Sequence, residues 1–224
     1  MANTMAKTEY HNLRILEYFD VRVPKPLEYR NSLAFSMKMV HFNSDSDFIP
    51  APLLKELNLS KYTDPGDFLE QILDQIELMF KNALMVHGDL SEFNILVTEI
   101  DQQLCPVIID VSQSRLYNDK TFTTTPVRIR IDKALKVVIR DIKIVLNHFE
   151  TKYRIYISFD DVCNKMFSDL PEFAMKRNLL DEKNLFQQKP SKTAWMNLQE
   201  VNTFTNRRLK GKEKKIQNIF ESLN

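Results

Sequence analysis

One stretch constrains this chain more than any other: residues 84 to 114, LMVHGDLSEFNILVTEIDQQLCPVIIDVSQS. Inside it lie two short apolar runs, Asn94-Ile95-Leu96-Val97 and Pro106-Val107-Ile108-Ile109. Their length and β-branched content are those of buried strands. Polar residues gather just before the first run and just after the second. A hairpin-like pairing of the runs brings His87, Asp89 and Asn94 close to Asp110, so that two acids and an amide converge on one cleft.

Such a set suits phosphoryl transfer, which asks for little covalent help from a protein. It needs a carboxylate to accept or orient the nucleophile's proton and oxygen ligands to hold Mg2+ against the phosphates. Magnesium often takes only one or two of those oxygens from the protein. Asp89 is then the base, and Asn94 and Asp110 are the metal ligands. The spacing from Asp89 to Asn94 is that of the protein-kinase catalytic loop. The same residues also read as turn formers in a plain polar loop, bonding their own backbone.

The longer strings separate the two readings. His87-Gly88-Asp89-Leu90-Ser91-Glu92-Phe93-Asn94-Ile95-Leu96, followed by Ile108-Ile109-Asp110-Val111-Ser112-Gln113-Ser114, closely resembles the RIO family of atypical serine/threonine protein kinases. Leu90-Ser91 and Val111-Ser112-Gln113-Ser114 point to the first of its subfamilies. The related branch has a Phe-rich loop and a proline after the metal-binding Asp. The resemblance implies ATP and Mg2+ as cofactors, with His87, Ser91 and Glu92 supporting the loop. It also implies an α+β, protein-kinase-like fold, with a mostly helical carboxy-terminal lobe and a reduced amino-terminal lobe.

Bulk properties narrow the setting. Lys plus Arg is 31 against 30 for Asp plus Glu, so any basic surface must be local. Cys105 and Cys163 sit far apart among apolar neighbours and are expected as buried thiols of a reducing compartment. The start, MANTMAKTEYHN, has no apolar core of a signal peptide. No run approaches the length of a membrane span. The expected location is the cytoplasm or nucleus, with no membrane partner.

In chain order, Leu13, Ile15, Leu16 and Phe19 predict a helix over residues 5 to 20. Thr8 to Leu13 resembles the RIO helix that supplies an acidic partner to the ATP-binding lysine, and Glu9 occupies that position; a solvated Glu is the alternative. Val23-Pro24-Lys25-Pro26 predicts an extended segment, and Ser32 to Val40 a strand. By resemblance that strand leads to the adenine-contacting hinge, at Met37, Met39 and Val40, although a Met there also reads as plain core. Pro50-Ala51-Pro52-Leu53-Leu54-Lys55 is a RIO-like stiff connector. Asp64 as N-cap and Pro65 at the first helical position start a helix to about Met85, with Phe68, Leu69, Ile72, Ile76, Met79, Phe80 and Ala83 on its apolar face. A polar link containing Thr121-Phe122-Thr123-Thr124-Thr125-Pro126 departs from the family and reads as a loop or a phosphorylation target. Asp132 to Glu150 predicts another amphipathic helix, whose Asp141 fits the RIO helix after the metal loop. Short helical pieces follow over residues 155 to 187.

The predicted domains are residues 1–49 (partial amino-terminal lobe), 50–187 (catalytic lobe) and 188–224 (polar tail). In that tail Arg207 to Lys215 is a cation cluster, either solvated or in contact with RNA phosphates, and Trp195 is expected to pack. Only a few residues precede Glu9, and glycine occurs only as Gly66, Gly88 and Gly211. The phosphate-covering loop and strand lysine of a full RIO kinase are therefore not expected. Each charge-assisted contact so lost is worth about 1.5–3 kcal/mol. Three functions stay open on the residues. The first is a RIO-type kinase or ATPase with a protein substrate, acting in small-ribosomal-subunit maturation. The second is a catalytically impaired module that binds pre-ribosomal particles or rRNA through the basic tail. The third is a small-molecule phosphotransferase of the aminoglycoside- or choline-kinase kind.

Overall fold

Asp64 starts the central helix as its sequence predicts: the side chain accepts from the N–H groups of Gly66 (2.6 Å) and Asp67 (3.3 Å), with Pro65 in the first turn. The helix, α2 (Pro65–Lys81), buries Phe68, Leu69, Ile72, Ile76, Met79 and Phe80. It belongs to a computed structural model that describes residues 2–31, 34–43, 49–117 and 127–168. The expected helical pieces beyond Ser168, the Thr121–Pro126 run, Trp195 and the Arg207–Lys215 cluster lie outside the described residues.

The chain divides into two units, Met1–Leu116 with Val137–Tyr156, and Tyr117–Lys136 with Ile157–Asn224. The first holds α1 (Ala2–Tyr18), β1 (Pro26–Asn31), β2 (Ala34–Met37), α2, β3 (Met85–Val86), β4 (Ile95–Ile100), β5 (Gln103–Ile108) and β6 (Arg115–Leu116), together with most of α3 (Val127–Tyr153). Among the described residues three antiparallel pairs form, β1 with β2, β3 with β6 and β4 with β5. In the second unit α3 begins and buries Ile131, Ala134 and Leu135, and α4 (Phe159–Phe167) buries Val162, Cys163, Met166 and Phe167 behind a Ser158 N-cap. Cys105 and Cys163 are buried thiols. Among the described residues no helix is long and apolar enough to cross a membrane.

Several boundaries differ from the sequence expectation, each for a local reason. The first helix ends at Tyr18, before the prolines. Asp20 adopts φ 60°, and the bonds Val21 N to Leu16 O (3.0 Å) and Asp20 N to Glu17 O (3.1 Å) close it as a Schellman motif. The predicted strand 32–40 contracts to Ala34–Met37, and the extended Pro26 segment becomes its partner β1, with two register shifts. The hairpin strands outrun their apolar cores because Asp101 and Gln102, at φ 50° and 63°, form a tight turn that keeps polar Thr98, Glu99 and Gln103 in register.

α2 packs on β3 and β5. Phe80 is fully buried, so Phe80→Ala costs about 3–5 kcal/mol. At its far end α3 holds the connector: Lys152 Nζ donates to the carbonyls of Leu54, Lys55 and Leu57, and the Tyr153 hydroxyl bonds Leu57 O and Leu59 N. The catalytic-loop sequence is thus carried between β3 and β4, and Asp110 follows β5.

Candidate active site

His87 is the hub of the site. It is buried, with Nε2 3.0 Å from the carbonyl of Ile109 and Nδ1 accepting from the N–H of Asp89 at 3.2 Å. One ring nitrogen donates and the other accepts, which is the pattern of a neutral imidazole. Burial lowers the His87 pKa, against the opposing pull of the Ile109 bond and of Asp141, Asp110 and Asp89. The negative charges of Asp89 and Asp110 therefore both reach this ring, so the two predicted acids lie around one hub.

Asn94 joins them. Its Nδ2 donates to the carbonyl of Asp89 at 2.8 Å, and its own carbonyl accepts from the N–H of Ile109 at 3.0 Å. With the amide nitrogen committed to the loop, the Oδ1 end is the one left for a cation. Asp110 stands at φ 56° as the residue before a short 3-10 turn (Val111–Gln113), and Ser112 Oγ donates to its Oδ1 at 2.8 Å. Asp carries the left-handed conformation at modest cost, whereas a β-branched residue would be strained there. The turn is anchored by α1: buried Asn12 donates from Nδ2 to Val111 O (2.8 Å) and Ser114 O (3.1 Å).

Glu9 also comes into range. It is half-buried, and burial first and the charge of Asp110 second raise its pKa. The charge of Asp110 thus reaches Glu9 as well as His87. Among the described residues no three His, Cys, Asp or Glu side chains cluster as a metal site. Asn94 and Asp110 offer oxygen donors of the hard kind that Mg2+ prefers.

The remaining predicted residues fall in different places. Ser91 accepts through its carbonyl from Asn94 N (2.9 Å) and shapes the loop; Glu92 Oε1 lies 3.8 Å from His148 Nδ1. Met37 and Met39 are exposed at and just beyond the end of β2, and Val40 O accepts from Ala51 N at 3.0 Å. No hydrogen bond among the described residues ties these three to the Asp89–Asp110 cluster.

Two positioning residues carry more of the site than their sequence context assigned. One is Asn12, a polar side chain one turn from Leu16 on the buried face of α1; that placement is its only sequence signal. The other is Asp141, on the inner face of α3, whose Oδ2 accepts from Gly88 N at 2.9 Å. Its neighbour Arg140 donates from Nη2 to Gly88 O and to Asp141 Oδ1. Burial raises the Asp141 pKa, and the Gly88 bond and Arg140 oppose the rise. Gly88 itself stands at φ 89°, with Gln113 O 3.4 Å from where a Cβ would be, so a side chain there is strained.

Comparison with known proteins gives the family. Residues 1–162 match the family model of the RIO domain. Serine/threonine-protein kinase RIO1 of Homo sapiens is 34% identical over 114 residues, which are 51% of this chain and 18% of that protein. Serine/threonine-protein kinase RIO1 of Caenorhabditis elegans is 36% identical over 114 residues, 51% of this chain and 21% of that protein. The probable RIO1 homologue of Encephalitozoon cuniculi is 29% identical over 147 residues, 66% of this chain and 32% of its own length. The chain thus spans less than a third of each of these relatives. Among solved structures, the Rio2 kinase of Chaetomium thermophilum, crystallised as an ADP/Mg2+-phosphoaspartate complex, superposes with a TM-score of 0.55 at 20% identity, over 72% of this chain and 44% of that one. That likeness gives the protein-kinase-like fold. Matched over residues 1–162 and built around the same fold, this chain belongs to the RIO family of serine/threonine protein kinases.

Proposed function

We propose that the chain is an ATP- and Mg2+-dependent phosphotransferase of the RIO type, acting on a serine or threonine hydroxyl of a protein. The observation that carries it is the gathering of Asp89, Asn94 and Asp110 around His87. Asp89 takes the hydroxyl proton as the oxygen bonds to the γ-phosphorus of ATP, and the bond to ADP breaks. Asn94 and Asp110 would hold Mg2+, which would supply charge neutralisation at the phosphates. His87 stays neutral and holds the Asp89 backbone, and Glu9 supplies a negative charge beside Asp110. Met37, Met39 and Val40 are proposed as the adenine-contacting segment.

Several supports come from outside the site. The relatives are named serine/threonine-protein kinases, and the Rio2 neighbour was crystallised with ADP and Mg2+. Family resemblance supports a role in small-ribosomal-subunit maturation in the cytoplasm or nucleus, with pre-ribosomal RNA met through the basic tail. Co-sedimentation with small-subunit precursors tests that role, and no association at low salt overturns it.

For the chemistry, ATP turnover by the full chain is measured with and without Mg2+. Asp89→Asn and Asp110→Ala are expected to lower it by about 10²–10⁴-fold. Turnover equal to wild type in Asp110→Ala overturns the site.

A further inference from the structure

A cavity of about 370 Å³ opens at the turn end of the β4–β5 hairpin. Its walls come from that turn, from the first two turns of α2, and from Phe42 and Tyr62, the latter following a short 3-10 helix (Leu59–Lys61). Four residues of β4, about 13 Å of strand, separate Glu99 in its wall from Ile95 beside Asn94. None of His87, Asp89, Asn94 and Asp110 lines it. We propose that this cavity binds the guanidinium of an arginine on a partner polypeptide, as a docking site outside the catalytic cleft. It asks nothing of Asp89 or Asp110.

The walls are tied to one another. Gln71 Nε2 donates to Leu104 O at 3.0 Å, which fastens α2 to β5. Phe42 N donates to Ile49 O at 2.8 Å, and Phe42 O accepts from Glu99 N at 2.7 Å. The rings of Phe42 and Tyr62 meet edge to face, with centroids 6.1 Å apart and planes at 77°. They form a corner of π surface, and Tyr62 is 58% exposed. A cation set over such a ring is drawn to its quadrupole.

Charge gives the ligand its sign. Among the described residues the lining holds two carboxylates, Asp67 and Glu99, and no Lys, Arg or His. No hydrogen bond or ion pair among the described residues takes up either carboxylate. The N-terminus of α2 offsets part of the Asp67 charge, and Arg22 reaches the wall through Nη1, which donates to Gln71 Oε1 at 3.3 Å. Attraction for a cation therefore comes from carboxylate and ring together. Arginine meets both: its plane stacks on an aromatic face while its fork takes a carboxylate, whereas an ammonium is a compact and strongly hydrated charge. Exposed Gln102 and Gln103 carry amide donors and acceptors for a peptide backbone. The same two carboxylates repel the phosphates of a nucleic acid.

Fluorescein-labelled peptides of one sequence with a central arginine, lysine or citrulline are titrated against the full chain and read by anisotropy. The arginine peptide is expected to bind about tenfold more tightly than its neutral isostere citrulline, with the gap shrinking as salt rises, and more tightly than the lysine peptide. Glu99→Gln should bring the arginine peptide to the citrulline level. If that variant does not fold, Tyr62→Leu should narrow the same gap. Asp89→Asn should leave all three affinities unchanged; a loss there puts the peptide in the catalytic cleft and overturns the site. Equal binding of the arginine and citrulline peptides, or binding of none, overturns it too. A lysine peptide as tight as the arginine one overturns the guanidinium. Displacement of the arginine peptide by equimolar spermidine, free arginine or a single-stranded RNA oligonucleotide overturns the polypeptide partner.

Discussion

α1 supports two neighbouring regions in different ways. On one side Asn12 reaches the carbonyls of Val111 and Ser114 beneath Asp110, a bond between residues about a hundred positions apart and shielded from water. On the other side Tyr10 lies against Tyr29 and Phe35 of the β1–β2 hairpin, with ring centroids 5.5 and 5.8 Å apart. That hairpin is largely exposed, its register shifts twice, and its ion pair Arg30–Glu28 sits in solvent. The turn after Asp110 is held by directional bonds whose loss leaves buried groups unpaired. The hairpin is held by ring contacts and a backbone ladder that tolerate displacement. Position is specified tightly around Asp110 and loosely beside it.

This contrast can be broken by measurement. Asn12→Ala strips the donor from two buried carbonyls and is expected to cost about 2–4 kcal/mol in urea or thermal unfolding. Ser36→Ala, which removes the exposed bond from Ser36 Oγ to Glu28 O in the hairpin, should cost well under about 1 kcal/mol. Equal losses would erase the distinction.

Next in size is Asp141. Asp141→Ala leaves the Gly88 N–H without its acceptor and should cost about 1–3 kcal/mol. Asp141→Asn should cost less, since its amide oxygen can still accept that bond. The direction with pH follows from the raised folded pKa. The carboxyl's contribution is full below its ordinary value of 3.8 and is lost as pH climbs through the folded value. Asp141→Asn should remove that loss, and an unchanged pH profile of stability would contradict it.

Tyr10→Ala should cost about 1 kcal/mol through the rings of the hairpin, while Arg30→Ala should change stability by less than about 0.5 kcal/mol. The smallest effect is at His148, whose pKa is lowered by burial and by Lys152 against the pull of Glu92. A His with a depressed folded pKa binds its proton more readily when unfolded, so stability falls as pH drops through 6.5. His148→Gln should flatten part of the fall in Tm between about pH 7.5 and about pH 5.5.

Local chemistry in the sequence made much of the fold legible. The Asp64-Pro65 start of α2 and its apolar stripe, and the two β-branched runs that became β4 and β5, depend on neighbours only a few residues away. Asp89, Asn94 and Asp110 were legible because they flank those runs. Asn12 and Asp141 were hidden as positioning groups because their partners are main-chain atoms far along the chain, and a backbone carbonyl leaves no mark on residue identity. The exit from α1 was misjudged for a related reason: Asp20 in a left-handed conformation closed the helix before the prolines could act.

Gly88 shows where this leads. Its N–H is held by Asp141 and its C=O by Arg140, side chains adjacent on one turn of α3. Two successive peptide planes ahead of Asp89 are thus fastened to a single helix. If α3 slides by a fraction of its 1.5 Å rise, both planes must tilt with it. The direction of the Asp89 backbone is then set by a lever whose arm is the helix and whose fulcrum is one residue without a side chain.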